Sequence, residues 1–431
     1  MGKKVFLATG SILGLSLLLG ACTPTAEEST GERAEPTRTV TLLSPMTGEQ
    51  KQQLERVLAP FTEATGIEVA YEGANAFATV LPVRVESGDP PDVAMFPQPG
   101  LLQRFAQAGE LVPLDTFMSR TQLEKSYPRQ WLELGSVNDR AYGLWYSASV
   151  KSLVWYNPQE FQRQGYSIPQ TWSEMMQLSE QIVDDGKIPW CLGIDSGETT
   201  GWVGTDWIED IMLRTAGARV YDQWVNHEIP FTHSAVKNAF EEFGEIARNS
   251  EYVVGGVVGV LSTPYGDSVN GLFRQPPRCY LHRQGSFIES FFPQDVTLGE
   301  DADVFPLPPM SEGEDVPLLV AGDVFAMFND TPEARALMQY LASPKPHEAW
   351  ARLGGYLSPH RQVSLDTYPN EVTRRQAELL MNAETIRFDG SDLMPPSVGT
   401  GTFWSGVVNY LNGKELDRVL QNIEDSWPEE S

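Results

Sequence analysis

Apolar positions in the first hundred residues recur in two alternating rhythms. Val40 to Ser44 (VTLLS), short and mostly apolar, reads as a buried strand. Leu54, Val57, Leu58 and Phe61 then fall three and four apart, which predicts a helix, and Gly66 stands where such a helix would stop. In IEVAYEG the apolar positions Ile67, Val69 and Tyr71 alternate as in a strand. A helical segment around 77–87 leads to a third strand over Asp92 to Phe96, and PGLLQRFAQAGELVPL supplies a helix ended by Gly109. Strand–helix alternation of this kind predicts a parallel sheet covered by helices on both faces, an α/β fold whose ligand sites lie beyond the strand carboxyl ends.

A second unit begins near residue 150. TWSE, from Thr171 to Glu174, has the spacing of a capping box, with Met175, Leu178 and Ile182 along one face of the helix it opens. Trp172 is expected to pack behind that box. In TDWIEDIMLRTAG, Trp207, Ile208, Ile211 and Met212 share a face, and Gly217 marks the end. VPLLVAGDVFAMF reads as a strand-like run, TPEARALMQYLAS as a helix with Pro332 at its first position, and Gly413 to Trp427 as a helix facing inward through Leu416, Val419, Leu420 and Ile423. No internal repeat is evident.

The amino terminus adds a compartment. Lys3 and Lys4 precede an apolar run from Val5 to Leu19 that is shorter than the ~20 residues a membrane-spanning helix needs. A basic start, a short apolar core and small residues at Gly20 and Ala21 predict a secretory signal peptide over residues 1–21. Leu19-Gly20-Ala21-Cys22 resembles the bacterial lipobox, which implies that Cys22 is lipidated and becomes the mature terminus. Residues 22–37 offer nothing to build a core with and are expected to form a disordered tether. The body after it, about 400 residues, is larger than one core usually holds, so two lobes are expected.

Charge and cysteine content narrow the partners. The chain carries a net charge of −27, and −29 without residues 1–21, which hold two lysines. So acidic a surface repels phosphate backbones and disfavours nucleic acid. Beyond Cys22 only Cys191 and Cys279 remain. In an oxidising compartment they are a disulfide candidate, the alternative being two free buried thiols.

Taken in order, FTEATGIEV (61–69), SGDPPDVAMF (87–96), AGELVPLD (108–115), YGLWYSASVKSLVWYN (142–157), PQTWSEM (169–175) and SPHRQV (358–363) resemble the extracellular solute-binding lipoproteins of carbohydrate ABC importers over nearly the whole mature chain. GWVGTDWIEDIMLRTAG and CYLHRQGSFIESFF further resemble a subgroup that takes up α-glucosides such as trehalose, sucrose and glucosylglycerol. The resemblance implies a two-lobe periplasmic-binding-protein fold of type II, with residues 38–147 and 302–352 in lobe 1 and residues 148–301 and 353–431 in lobe 2. It implies a monomer that passes a small neutral sugar to ABC permease subunits, held by its lipid to the outer face of the cytoplasmic membrane. No cofactor and no metal are expected.

A neutral sugar is held by aromatic rings on its C–H faces and by planar polar groups on its hydroxyls. Trp202 and Trp404 lie in glycine-bordered stretches and are candidate platforms, with packing as the alternative for each; Trp207 is assigned to the core. Trp145 is a candidate where the chain first approaches the second lobe. Arg283 and Gln284, beside a glycine, are candidates for hydroxyls, the alternative for the arginine being a surface ion pair. Glu49 and Gln98 follow strand ends. Gly355 and Tyr356 lie in a returning loop, and Asp206 either meets ligand or caps its helix.

The competing reading is a secreted, lipid-anchored glycoside hydrolase that uses a carboxylate pair. Among 58 Asp and Glu some pair always lies close, and no local motif singles one out. HExxH, GxSxG, Walker A and GxGxxG patterns are missing, and the five histidines lack metal-ligand spacing.

Overall fold

The computed structural model describes residues 38–354 and 356–428. The signal, the tether, Cys22 and Gly355 lie outside the described residues. Among these residues no helix is long and apolar enough to cross a membrane.

The amino-terminal alternation folds as read. Strand β1 (Arg38–Ser44), helix α1 (Gly48–Thr65), strand β2 (Ile67–Gly73), helix α2 (Phe77–Glu86), strand β3 (Val93–Phe96) and helix α3 (Pro99–Gln107) follow one another. Leu54, Val57, Leu58 and Phe61 form the buried stripe of α1, and Gly66 closes it with a left-handed backbone. β2, β1 and β3 run parallel in that order. Val324–Met327, antiparallel to β3, and then Leu144–Trp145, antiparallel to Val324–Met327, complete a five-stranded sheet.

Two smaller sheets lie beyond it. Leu153–Tyr156 pairs antiparallel with Asp303–Pro306 on one side and Leu281–Arg283 on the other. Leu318–Ala321 pairs parallel with Ile386–Phe388 and antiparallel with Ser149–Val150. The return expected near residue 302 is therefore displaced. Asp303–Pro306 and Leu318–Ala321 pair with the strands built on 149–156, and the chain rejoins the five-stranded sheet only at Val324. The physical reason is a break in the apolar run at Gly322-Asp323, which divides what reads as one strand into two strands on different sheets.

Two chain passages connect these sheets side by side, Tyr146–Ala148 and Gly322-Asp323. Tyr146 N donates to Asp323 O, and the Ser147 hydroxyl donates to Asp323 Oδ2 at 2.5 Å. A β-carbon on Gly322 would stand 2.3 Å from the Ser147 carbonyl oxygen, so only glycine permits the approach. Ala148 also bridges Leu357, where a third passage crosses.

Buried apolar residues gather into two cores. One surrounds the five-stranded sheet. The other is built on the helices Trp172–Asp184, Trp202–Val225, Ser234–Ala247 and Trp404–Leu411. Thr171 caps the first of these, accepting from Glu174 N at 3.2 Å, while Glu174 reaches back to Gln170 N. Trp172 and Trp207 are buried as expected. Gly217 interrupts the second helix with non-helical angles, and the helix resumes to Val225. Cys191 and Cys279 form a disulfide, with their Cα atoms 5.3 Å apart, and both are buried with the first core.

Candidate functional site

The carboxyl ends of β1, β2 and β3 open onto a chamber of about 710 Å³. Pro45, Asn75, Phe77 and Gln98 form one wall. The opposite wall comes from Lys151, Thr199, Trp202, Tyr265 and the 389–404 segment. A second cavity of about 910 Å³, sharing Pro45, Asn75, Thr199 and Tyr265, extends the chamber past Glu49, Asp195 and Phe291.

Of the expected residues, Gln98, Trp202 and Trp404 meet in the chamber, and Glu49 lines its extension. Gln98 precedes α3, whose Pro99 start fixes the direction in which the chain leaves β3. Trp202 is the first residue of its helix, turned in by Gly201 at φ 121°. Its ring meets Tyr265 edge-on at 5.0 Å. Trp404 follows a π-helical turn, Val398–Phe403, an arrangement that widens the helix just before the indole. Trp404 is 8 % exposed, and its Nε1 has no partner within the protein. The Gln98 Oε1 atom is likewise buried and unpartnered.

The floor is ionic. Lys151 Nζ donates to Asp206 Oδ1 at 2.8 Å and to Asp389 Oδ2 at 2.5 Å, and it stands 5.2 Å from the Trp202 ring centroid. Asp389 also accepts from Ser391 Oγ at 2.8 Å and caps the short turn behind it through Asp392 N at 3.1 Å. Glu209 grips the same turn, accepting from Gly390 N at 2.8 Å and Ser391 N at 3.0 Å. Burial pushes the Asp206 carboxyl up to about 7, and Lys151 offsets only part of this. Burial acts on Asp389 in the same direction, but Lys151 and the hydrogen bonds outweigh it and hold that carboxyl at about 2. Burial, then the negative Asp389, push Asp392 well above the carboxylate range. Burial alone would lower Lys151, yet its two partners raise it, so the ammonium persists. Oxygens of Asp206, Glu209 and Asp389 converge within 4.8 Å, a spacing that suits a metal ion, but the Lys151 ammonium already supplies the cation between two of them.

Five other candidates lie away from the chamber surface. Trp145 is fully buried in the five-stranded sheet, edge-on to Trp131 at 4.8 Å, because its strand is covered on both faces. Asp206 lies inside the helix rather than at its cap and faces Lys151 beneath the floor. Arg283 turns inward as a counter-ion, donating to Asp206 O at 2.9 Å and Asp210 Oδ2 at 2.8 Å. Gln284 is buried with its Oε1 accepting from Gly285 N at 2.8 Å, locking the turn before Ser286. Tyr356 packs on Trp350, and its hydroxyl accepts from Gln50 Nε2 at 2.5 Å.

Sequence reasoning missed Lys151, Tyr265, Asp389 and Asp392. A lone lysine within the apolar run SASVKSLVWY signals a buried, paired cation, and FDGSD carries the spacing of an Asp cap. Together the walls offer aromatic faces, an indole N–H, an amide oxygen and carboxylates, which is equipment for holding a polyhydroxylated molecule.

Comparison with known proteins agrees. The model of the family "Bacterial extracellular solute-binding protein" matches residues 46–348. The "Osmoprotective compounds-binding protein GgtB" of Synechocystis sp. is 56% identical over 425 residues, covering 99% of this chain and 100% of that protein. The "Alpha-glucosides-binding periplasmic protein AglE" of Rhizobium meliloti is 44% identical over 398 residues, covering 90% and 87%. Among solved structures, the bacterial solute receptor AcbH superposes with a TM-score of 0.78 at 19% identity, covering 90% of this chain and 98% of that one. RafE in complex with raffinose superposes at 0.73 and 19%, covering 91% and 99%. At such identities these structures establish the two-lobe fold alone.

Proposed function

Because the chain belongs to the bacterial extracellular solute-binding protein family, we propose that it captures an α-glucoside of the glucosylglycerol, trehalose or sucrose type and delivers it to the permease of an ABC sugar importer. Its relatives are binding proteins rather than enzymes, and nothing favours the hydrolase alternative. The chain works on the periplasmic or extracellular side of the membrane.

The observation that carries this reading is the meeting of Trp202 and Trp404 in one chamber with Gln98, Asp389 and Asp392. Indole faces take up the C–H faces of a pyranose, and the planar polar groups take up its hydroxyls. Gln98 belongs to the wall beside the five-stranded sheet, the two tryptophans to the opposite wall. A ligand touching both favours a closed form of the two lobes. A shift from 1:99 to 99:1 requires about 5.5 kcal/mol of preference for that form. The lobes divide at the paired passages Tyr146–Ala148 and Gly322-Asp323 and at the crossing near Leu357, which act as the hinge. Cys22 carries a lipid, residues 22–37 are the leash, and the body is a monomer on the outer face of the cytoplasmic membrane.

Isothermal titration of the mature protein with trehalose, sucrose and glucosylglycerol, followed by chromatography of the recovered sugar, tests this. Saturable binding of at least one, returned intact, is expected. Binding of none, or release of free glucose, contradicts it.

A further inference from the structure

We infer that the cleft sorts glycosides by charge, admitting neutral and cationic ones and rejecting anionic ones, with Asp389 as the residue that sets the sorting. This rests on the glucoside reading above and deepens it.

The charge balance of the walls is one-sided. Glu86, Glu198, Asp389 and the upward-shifted Asp392 line the chamber, so acidic groups outnumber the cations Arg104 and Lys151. Arg104 is exposed at the rim, over the Phe105 ring at 5.5 Å. Lys151 is 5 % exposed and two of its three N–H donors go to Asp206 and Asp389, so its single positive charge already faces two carboxylates. The extension adds Glu49, Asp195 and Asp267, and among the described residues no lysine or arginine lines it. Burial first, and after it the negative Asp389, push the Asp392 carboxyl upward, so a field of its own sign supplies the second part of that push. An anionic ligand would enter that same field.

The unpaired groups point to the same ligand class. Trp404 Nε1 and Gln98 Oε1 are buried without partners on opposite walls of the chamber, one a donor and one an acceptor. A hydroxyl satisfies either of them and can also donate to Asp389. A carboxylate in its place has no proton to give, and its charge lies against Asp389 in a water-poor floor where repulsion is little screened. An ammonium has protons to give and the complementary charge. Specificity of this sort comes from what the wrong ligand leaves unpaired as much as from what the right one gains.

Three near-isosteric probes test the inference by titration calorimetry on the mature protein: trehalose, its analogue with one 6-hydroxymethyl group oxidised to carboxylate, and its 6-amino-6-deoxy analogue. Trehalose and the amine are expected within about tenfold of each other, and the carboxylate at least about 100-fold weaker. In Asp389→Asn, which keeps a side chain able to cap the turn, the ratio between carboxylate and trehalose should fall at least about fivefold. Glu198→Gln at the rim should lower the same ratio by a smaller factor, and serves where the first variant folds poorly. A carboxylate that binds within threefold of trehalose overturns the inference, as does a ratio unchanged in both variants. If trehalose binds and the carboxylate binds equally, only the charge sorting falls. If none of the three probes binds, and sucrose and glucosylglycerol fail too, the glucoside reading falls and the sorting with it.

Discussion

A β-carbon placed on Gly201 would lie 2.3 Å from the carbonyl oxygen of Trp404. The two candidate platforms are thus joined through their backbones: the residue that turns Trp202 into its helix rests on the residue that carries the other indole. Gly201→Ala would meet both this clash and a φ of 121° that L residues avoid. The variant should lose more than about 1 kcal/mol of stability and at least about tenfold in sugar affinity. Chemical denaturation and calorimetry on the same preparation read both, and unchanged affinity would uncouple the two tryptophans.

Removing either ring should weaken binding without unfolding the protein. Trp202→Ala and Trp404→Ala each delete an aromatic face from the chamber. Stacking of this kind is worth about 0.5–1.5 kcal/mol beyond the apolar area covered, so a loss of about tenfold or more is expected for each. Titration with trehalose measures it.

Lys151 is expected to matter more for the fold than its single charge suggests. Lys151→Met leaves Asp206 and Asp389 buried and facing each other, which should cost about 3–5 kcal/mol. Adding Asp206→Asn should recover part of that loss, because the surviving carboxylate then has no like charge opposite. Urea unfolding of the single and double variants compares them; equal stabilities would contradict the pairing.

His347 links stability to acid. Burial lowers this imidazole to about 3, and the positive field of a charged His360 acts in the same direction. The ring sits between Leu341 O at 3.0 Å, Tyr127 Oη at 3.2 Å and Ser358 Oγ at 2.9 Å. A base with a depressed folded value contributes stability above its unfolded value, ~6.5, and loses it as the pH falls towards 3. The wild type should therefore lose up to about 1.4 kcal/mol per pH unit more than His347→Gln between pH 6 and 4. Parallel pH profiles for the two proteins would contradict a neutral, buried His347.

The disulfide should be felt at a distance. Cys191 and Cys279 close a loop 88 residues apart in sequence, worth about 4–5 kcal/mol by chain entropy. The segment after Cys191 continues to Asp195, Ser196 and Thr199 on the chamber wall. Replacing both cysteines with alanine should lower the melting temperature, and titration should show weaker sugar binding as this wall loosens.

Much of this architecture was legible in the residues. Leu54, Val57, Leu58 and Phe61 announced α1, Thr171 and Glu174 announced a capped helix, and the glycines around Trp202 and Trp404 marked indoles that are not simply core. Other candidates lie away from the chamber for identifiable reasons. Arg283 and Gln284 look like surface polar groups beside a glycine, but the strand ending at Arg283 pairs with Leu153–Tyr156 and both side chains are buried, Arg283 donating to Asp206 O and Asp210 Oδ2 and Gln284 accepting from Gly285 N. Trp145 sits at an approach to the second lobe, yet sheet pairing with Val324 seals it. Lys151 and Asp389 are 238 residues apart, and only folding brings them to 2.5 Å. The local pattern around Lys151 signals a buried, paired cation, but a pairing of that separation leaves nothing local that names the partner.

The most direct test is the structure of the mature protein crystallised with trehalose. The prediction is one pyranose seated between the lobes, with carbon atoms within about 4 Å of both the Trp202 and Trp404 rings and hydroxyls within about 3.2 Å of Gln98 and Asp389. A sugar bound elsewhere on the surface, or one touching neither indole, would contradict the account.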